Sequence, residues 1–208
     1  MNEKNSLGLD ICFKDLDNPI DLFKVWFDAS KKYEKKDPNA LALATSDKTG
    51  VPSVRMVLLK DYDETGFVFY TNLNSNKSND LKNNPKASMC FYWKSLSRQI
   101  NIIGKISQVS DSEADEYFKT RSYLSKIGAW ASKQSKVLER IEELKKSILN
   151  YKNKYPEEKN VPRPNYWSGW KLNPIEIEFW LLGENRIHQR LRYKREENGK
   201  WKKFLLNP

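Results

Sequence analysis

Two groups of polar side chains in this sequence have the spacing of an anion-binding site. Arg55 and Lys60 bracket an apolar run in an expected central strand, where alternation places their side chains on opposite faces. Tyr117 and Arg121 lie one helical turn apart, and Ser125 follows four residues later. A phenol, a guanidinium and a hydroxyl that converge can hold a phosphate, which arginine grips through two parallel hydrogen bonds. Arg55 and Lys60 are equally compatible with charges that emerge into water at the strand ends. Taken alone, an exposed pair on a helix surface is the commoner explanation for Tyr117 and Arg121.

A third group, Arg186, His188 and Arg190, alternates along an expected strand near the C-terminus. Alternation would place all three side chains on one face, where they repel each other unless an anion or an aromatic ring lies between them. His188 is the only histidine of the chain. We therefore expect this group to belong to a functional site.

Composition excludes several other kinds of chemistry. The chain has 208 residues, with 37 Lys and Arg, 27 Asp and Glu, two cysteines and one histidine. No Cys-x-x-Cys or His-Glu-x-x-His pattern is present, so we expect no metal site. Neither glycine-rich phosphate-binding pattern occurs, so a phosphate must be held by side chains. The net charge of +10 favours small anionic ligands.

The apolar pattern predicts one domain after a short N-terminal segment. Residues 1–18 show no periodicity and are expected to be mobile, whereas residues 19–208 form a single domain without repeats. No run of about 20 apolar residues and no signal-peptide core is evident. We therefore expect a soluble, cytoplasmic protein.

Expected strands outnumber expected helices. Asn18 predicts the N-cap of an amphipathic helix, and Ser110 predicts that of another. Helices are also expected over residues 74–84 and 135–151, and residues 155–174 form a proline-rich, ordered but irregular connection. About eight antiparallel strands fill the remainder. A mainly β fold with inserted helices follows, in which the strands form a closed or partly closed barrel.

Several separate motifs along the chain resemble those of one known family. The motifs are Arg55-Met56-Val57-Leu58-Leu59-Lys60, Phe69-Tyr70-Thr71-Asn72, Arg98-Gln99, Ile127-Gly128-Ala129-Trp130, Ser132-Lys133-Gln134-Ser135, Glu178-Phe179-Trp180 and Arg186-Ile187-His188-Gln189-Arg190. They occur in order and are similar to those of the pyridoxine (pyridoxamine) 5'-phosphate oxidase family. The resemblance implies an antiparallel split β-barrel that binds FMN and acts as a homodimer, with two active sites at the interface.

The resemblance also implies an activity and a role for individual residues. The implied reaction is the FMN-dependent oxidation of pyridoxamine 5'-phosphate and pyridoxine 5'-phosphate to pyridoxal 5'-phosphate, with dioxygen as acceptor and hydrogen peroxide as product. The implied FMN-binding residues are Arg55, Met56, Val57, Leu58, Leu59, Lys60, Tyr70, Thr71, Lys77, Gln99, Gln134, Ser135, Trp180 and Arg190, the last two in part from the other subunit. The implied contacts to the substrate phosphate are Lys60, Tyr117, Arg121 and Ser125. Arg186 and His188 are implied to cover the pyridine ring as the catalytic pair.

The sequence departs from the family pattern at two places. Asn76 stands where the family usually has an arginine before the lysine that matches Lys77, so one phosphate contact is lost and we expect weaker FMN binding. No arginine precedes Arg55. The N-terminal segment that closes over the substrate in the family is therefore expected to be missing or built differently.

Two other functions remain open at this point. A split-barrel flavoprotein with another substrate, such as a phenazine-pathway oxidase or a flavin reductase, would share the FMN contacts but would not need the residues implied to bind the vitamer. A basic single-stranded nucleic-acid-binding module would use exposed aromatic rings as stacking platforms. Most aromatic residues here lie on apolar stripes instead, so we expect neither a nucleic-acid nor a membrane partner.

Overall fold

The computed structural model describes residues 3–208, which form one β-sheet with helices inserted between its strands. The strands are β1 (Ala40–Ser46), β2 (Pro52–Leu58), β3 (Asp61–Asp63), β4 (Gly66–Asn72), β5 (Lys86–Trp93), β6 (Arg98–Gln108), β7 (Trp167–Leu181), β8 (Gln189–Arg195) and β9 (Trp201–Leu205). The α-helices are α1 (Pro19–Tyr33), α2 (Asn76–Asn83), α3 (Asp111–Lys119), α4 (Tyr123–Ala131) and α5 (Ile141–Lys154). Within this part of the chain, no helix has both the length and the apolar character needed to cross a membrane.

The strands form one antiparallel sheet that is curved but not closed. Its main order is β2-β1-β5-β6-β7-β4-β3, with β8 paired to β7 and β9 paired to β8. The long strand β7 branches the sheet, because its first half pairs with β4 and its second half with β8, while β6 runs along both halves. The expected split barrel is therefore confirmed. Strand β2, which was expected to be central, is an edge strand instead.

An aromatic core holds α1 against the inner face of the sheet. Phe23 is fully buried. Its ring centroid lies between 4.8 and 5.4 Å from those of Phe27, Tyr62, Phe67 and Phe91. Most of these contacts are edge-to-face, the arrangement that the charge distribution of aromatic rings favours. Because the rings come from α1, β3, β4 and β5, this packing fixes the hairpin that carries the first part of the candidate site.

Asn18 caps α1, as the sequence predicts. Its side-chain oxygen accepts a hydrogen bond from the backbone N–H of Ile20 at 3.0 Å. We expect Asn18→Ala to lower the free energy of unfolding by about 1 kcal/mol, because the first turn loses a partner for one of its free N–H groups. Urea denaturation measures this change. The control is Asn153→Ala on the exposed last turn of α5, where an equal loss would show that capping is not the cause.

The N-terminal segment packs against the domain, contrary to the boundary expected at residue 18. Phe13 is fully buried and Leu9 nearly so, and both belong to the hydrophobic core. The hydroxyl of Tyr193 donates a hydrogen bond to the carbonyl oxygen of Leu16 at 2.7 Å. The sequence could not reveal this packing because the residues that cover the segment lie far along the chain. Residues 1 and 2 lie outside the described part of the chain.

Three element boundaries also differ from the sequence-based expectation. The expected helix over residues 135–151 begins only at Ile141. Ser135 has a φ of 70°, which a right-handed α-helix does not accommodate, and Val137 is 95% exposed. Strand β7 starts at Trp167, within the segment that was expected to be irregular up to residue 174. The expected turn after Lys60 contains the short strand β3. The remaining caps and strands lie close to their expected positions.

Candidate active site

A cavity of about 640 Å³ lies between strands β2 and β4 and helices α2, α3 and α4. The predicted site residues that line this cavity are Met56, Val57, Leu58, Lys60, Tyr70, Thr71, Lys77, Tyr117, Arg121, Ser125 and Gln134. They come from segments up to about 80 residues apart in the chain, and the barrel with its inserted helices brings them together.

Lys77 lies at the cavity wall among oxygen atoms. Its Nζ atom donates to Gln134 Oε1 at 2.9 Å. The hydroxyl oxygens of Thr71 and Ser75 each lie 3.2 Å from the same nitrogen. Burial and, to a smaller extent, the charge of Arg55 lower the pKa of Lys77 to about 8. A cation in this position gains from an anionic ligand, and a phosphate would supply the missing charge.

Arg121 presents a guanidinium to the same cavity. Its Cζ atom lies 4.6 Å from the centre of the Trp167 ring and 5.5 Å from that of Phe118. The Nη1 atom is buried and has no hydrogen-bond partner among the described residues. Burial lowers the pKa of Arg121, and the nearby Tyr117 partly offsets this effect. An unpaired guanidinium nitrogen beside a cavity is available to bind an anion.

The local backbone around Arg121 differs from the sequence-based expectation. Helix α3 ends at Lys119, so Tyr117 and Arg121 do not share one helix, and Ser125 belongs to the next helix, α4. The three side chains nevertheless line one cavity. A turn at Thr120 therefore brings the three side chains together. A continuous helix was expected to do this.

Parallel aromatic rings form a second wall of the cavity, here called the aromatic wall and consisting of Tyr70, Tyr117 and Trp167. The ring of Tyr70 lies 4.0 Å from that of Tyr117 and 5.3 Å from that of Trp167. Gly169 lies opposite Tyr70 in strand β7, and a Cβ atom there would come within 2.8 Å of the Tyr70 ring. Burial raises the pKa of Tyr70 to about 12, so its phenol stays neutral. The missing side chain at Gly169 thus lets the aromatic wall pack closely.

Arg55 and Leu59 do not line the cavity, although the resemblance implies that both contact the cofactor. The Nη1 atom of Arg55 donates to Thr45 Oγ1 at 2.7 Å, and its Nη2 atom lies 3.9 Å from a carboxylate oxygen of Asp80. Leu59 is 3% exposed and packs in the core. In this structure Arg55 acts on the site through its charge, by its effect on the pKa of Lys77.

Most of the other predicted residues form a second group, which lies on strands β6, β7 and β8 and in the turn before β8. Gln99 of β6 pairs with Trp180 of β7, which pairs in turn with Arg190 of β8. The rings of Trp180 and His188 lie 4.6 Å apart. The Nε atom of Arg190 donates to Glu178 Oε1 at 2.8 Å. The predicted residues that are not brought into the cavity of the same chain are Arg55, Leu59, Gln99, Ser135, Trp180, Arg186, His188 and Arg190.

Arg186 and His188 lie in a tight turn before β8, so the expectation that they share one strand face with Arg190 is wrong. Arg186 has a left-handed φ of 64°. The N–H of Gly183 donates to Nδ1 of His188 at 3.3 Å, which leaves the proton of the neutral imidazole on Nε2. A Cβ atom at Gly183 would overlap the carbonyl oxygen of Ile187. Only glycine therefore fits at the start of this turn.

Some cavity residues were missed by the sequence analysis. They are Asn72, Ser122, Gly128, Ala129, Ser132 and Trp167. Gly128 and Ala129 belong to a motif that carried the resemblance, but no role was assigned to them. These two small residues follow each other in a helix whose other side chains are mostly large. They leave space beside the helix, so the sequence could have indicated that this part of the helix lines a cavity. No local sequence pattern marked Trp167 as a site residue, because Trp167 and Arg121 are far apart in the sequence and become neighbours only in the folded chain.

Two comparisons with solved structures define the class of protein. PhzG from Burkholderia lata, solved in complex with tetrahydrophenazine-1-carboxylic acid, aligns with a TM-score of 0.89 and 31% identity, over 99% of this chain and 100% of that chain. A pyridoxamine 5'-phosphate oxidase-related, FMN binding protein from Nostoc punctiforme aligns with a TM-score of 0.74 and 16% identity, over 93% and 99% of the two chains. The protein thus belongs to the split-barrel class that these two structures represent.

Sequence comparisons identify the family within this class. Residues 28–155 match the family described as pyridoxamine 5'-phosphate oxidase, and residues 167–208 match the pyridoxine 5'-phosphate oxidase C-terminal dimerisation region. The chain is 62% identical over 208 residues to the pyridoxine/pyridoxamine 5'-phosphate oxidase of Pelagibacter ubique, with both chains fully covered. It is 48% identical over 197 residues to the protein of the same name from Allorhizobium ampelinum, covering 94% of this chain and 95% of that one. The chain belongs to the pyridoxine/pyridoxamine 5'-phosphate oxidase family, as its motifs indicated.

Proposed function

We propose that the protein is an FMN-dependent oxidase that converts pyridoxine 5'-phosphate and pyridoxamine 5'-phosphate to pyridoxal 5'-phosphate. The observation that carries this proposal is one cavity with two separate cationic groups, Lys77 with its oxygen partners and Arg121 with Tyr117 and Ser125. Two such groups suit a phosphorylated cofactor and a phosphorylated substrate bound side by side. The relative from Pelagibacter ubique, which has this activity in its name, covers the whole chain.

The residues of the cavity fit FMN. Lys77, Thr71 and Gln134 offer a cation and polar groups to a phosphate. Residues 56–58 lie on the edge strand β2, whose outer backbone groups are not used by the sheet and can hydrogen-bond to the polar atoms of a flavin ring. Asn76 begins helix α2 next to Lys77, so only the lysine of the usual Arg-Lys pair contributes its charge there.

The active protein is a homodimer in which the second group of residues completes the cavity of the other subunit. Trp180, Arg186, His188 and Arg190 lie within the segment that matches a dimerisation region, and none lines the cavity of its own chain. The exposed apolar side chains of β2 next to the cavity, such as Met56 at 66% exposure, suit an interface. Sedimentation should give about twice the chain mass of 24.5 kDa, and a fully active monomer would contradict the dimer.

The residues of the chain position the substrate, while bound FMN supplies the redox chemistry by accepting a hydride equivalent whose electrons pass to dioxygen. Pyridoxine 5'-phosphate and dioxygen give pyridoxal 5'-phosphate and hydrogen peroxide. Pyridoxamine 5'-phosphate also consumes water and releases ammonia. Lys60, Tyr117, Arg121 and Ser125 hold the substrate phosphate, and Arg186 with His188 from the second subunit covers the pyridine ring. Nε2–H of each His188 can donate to the substrate because the Nδ1 atom is already engaged.

FMN affinity is expected to fall as the pH rises above about 8. Lys77 has a pKa of about 8 in the structure, and a bound phosphate dianion would raise this pKa by favouring the charged form. Above pH 8, binding must then take up a proton, so affinity falls by up to about tenfold per pH unit. Well below pH 8, Lys77 is charged in both the flavin-free and the FMN-bound protein, so it contributes no pH dependence to FMN affinity.

Fluorescence titration of the flavin-free protein with FMN between about pH 7 and 9 measures this effect. The control variant is Lys77→Arg, whose side chain stays charged throughout this range. We expect the variant to bind FMN with a flatter pH profile. An equally steep profile in the variant would show that another group is responsible.

The protein is proposed to act in the cytoplasm. Both cysteines, Cys12 and Cys90, are free, which suits a reducing compartment. Cell fractionation should recover the activity that forms pyridoxal 5'-phosphate with the cytoplasmic fraction. Recovery in a membrane or extracellular fraction would contradict this location.

The proposed function is tested on the purified protein. Flavin absorption bands should be present after addition of FMN and removal of the excess by gel filtration. In air, the flavin-loaded protein should form pyridoxal 5'-phosphate and hydrogen peroxide in equal amounts from pyridoxine 5'-phosphate. PhzG was solved with tetrahydrophenazine-1-carboxylic acid bound, so compounds of this kind are the alternative substrates to test. Their oxidation without any oxidation of the phosphorylated vitamers would overturn the proposal.

A further inference from the structure

Arg163 lies in the proline-rich connection between α5 and β7, and its side chain is only 11% exposed. Its Nε atom donates to Asp115 Oδ1 at 2.6 Å, and its Nη2 atom donates to Asp111 Oδ1 at 2.8 Å. Its Nη1 atom donates to the carbonyl oxygen of Trp167 at 2.8 Å. Because all three nitrogens are engaged, the planar guanidinium fixes the relative positions of these three partners.

Both ends of this network lead to residues of the proposed phosphate site. The two aspartates lie in helix α3, whose last turns carry Tyr117. The ring of Trp167 lies 4.6 Å from the guanidinium of Arg121 and 6.1 Å from the ring of Tyr117, to which it is nearly parallel. Arg163 thus joins the helix that bears Tyr117 to the backbone of Trp167, whose ring supports Arg121. Arg163 does not itself line the cavity.

The same connection is also bonded to helix α4, which carries Ser125. The hydroxyl of Tyr123 donates to the carbonyl oxygen of Tyr155 at 2.8 Å, and Nε1 of Trp130 donates to that of Pro162 at 2.8 Å. The connection therefore contacts both helices that bear the predicted phosphate ligands.

We propose that Arg163 is a positioning residue for the substrate phosphate site formed by Tyr117, Arg121 and Ser125. This inference rests on the proposed function. By holding α3 at a fixed distance from Trp167, Arg163 keeps the unpaired Nη1 atom of Arg121 in place before the substrate arrives. Preorganisation of this kind strengthens binding of the phosphate, which is remote from the reacting carbon, and leaves the chemical step unchanged.

The test uses Arg163→Met, which removes the three hydrogen bonds but keeps much of the apolar volume of the side chain. In the flavin-loaded protein, we expect the KM for pyridoxine 5'-phosphate and the Kd of the product pyridoxal 5'-phosphate to rise about 10-fold. The kcat should stay within about twofold, since only binding of a remote group is weakened. The Kd for FMN should not change, because Lys77 is not part of this network. Arg163→Lys restores the charge without the planar fork, so it should give intermediate values.

The control is Lys203→Met. Lys203 also bridges two carboxylates, with its Nζ atom 2.6 Å from Asp15 Oδ1 and 3.1 Å from Asp17 Oδ1, but its partners lie in the N-terminal segment. We expect this variant to change neither KM nor kcat. A similar rise in KM in both variants would mean that any lost ion pair has this effect, which would overturn the role of Arg163.

Other results would also overturn the inference. These are a KM and product Kd within about twofold of the parent, a loss confined to kcat, or an equal rise in the Kd for FMN. If Arg163→Met does not fold, Asp115→Asn decides by the same criteria, with an expected rise of about threefold from the loss of one charge. If the parent protein forms no pyridoxal 5'-phosphate, the proposed function fails. Arg163 is then judged by the Kd of inorganic phosphate for the flavin-loaded parent and variant, with the same expected rise.

Discussion

Replacement of Arg121 by alanine is expected to raise the KM for pyridoxine 5'-phosphate about 10- to 150-fold, with a much smaller change in kcat. The Arg121 side chain is half-buried, its buried Nη1 atom has no hydrogen-bond partner among the described residues, and the guanidinium lies over the ring of Trp167 beside the cavity. A charge-assisted contact to phosphate is worth about 1.5 to 3 kcal/mol, and its loss is felt equally in the ground and transition states. The effect therefore falls on KM.

Steady-state kinetics with phosphorylated and unphosphorylated pyridoxine test this expectation. Activity on unphosphorylated pyridoxine should be poor in the parent and should suffer little further in Arg121→Ala. Arg186→Ala serves as the comparison, because a residue over the pyridine ring affects alignment for the reaction and should lower kcat as well. Equal losses of Arg121→Ala on both substrates would show that Arg121 is structural and that the phosphate is bound elsewhere.

Replacement of Lys77 by alanine is expected to weaken FMN binding about 10- to 150-fold. Gln134, Thr71 and Ser75 surround the Lys77 ammonium, and these neutral groups cannot replace its charge toward a phosphate. With asparagine at position 76, the arginine that usually precedes this lysine in the family is not there to compensate for the loss. The variant should lose its flavin during dialysis and recover activity when FMN is added in excess.

The matched control is Lys82→Ala on the same helix. Nζ of Lys82 donates to the carbonyl oxygen of Leu73 and does not line the cavity. This variant should retain FMN as the parent does. If Lys77→Ala keeps its flavin through dialysis and loses only substrate affinity, Lys77 serves the substrate and not the cofactor.

Local patterns in the sequence were sufficient to predict most of the fold. The alternation of apolar residues located the strands, and the caps at Asn18 and Ser110 marked helix starts that the structure confirms. Packing against distant segments was not predictable in this way. Phe13 is buried although its own segment has no period, because the core that covers it is made by residues far along the chain.

The candidate site was predictable by residue type more than by geometry. Tyr117 and Arg121 line one cavity, as their residue types suggested. They are placed there by a turn after Lys119, since the expected helix does not continue past this residue. Arg55 points to Asp80, a partner on another element that no local pattern could supply. Arg163 drew no attention in the sequence because its partners become neighbours only through the fold.

We propose that the flavin-loaded protein oxidises a phosphorylated vitamer directly. The most direct test is to mix the flavin-loaded protein with pyridoxine 5'-phosphate without oxygen and to follow the visible absorption band of the flavin. We predict that the band bleaches, that pyridoxal 5'-phosphate forms in an amount equal to the flavin, and that air restores the band with release of hydrogen peroxide. A band that stays unchanged with both phosphorylated vitamers, in protein shown to hold FMN, would contradict the account.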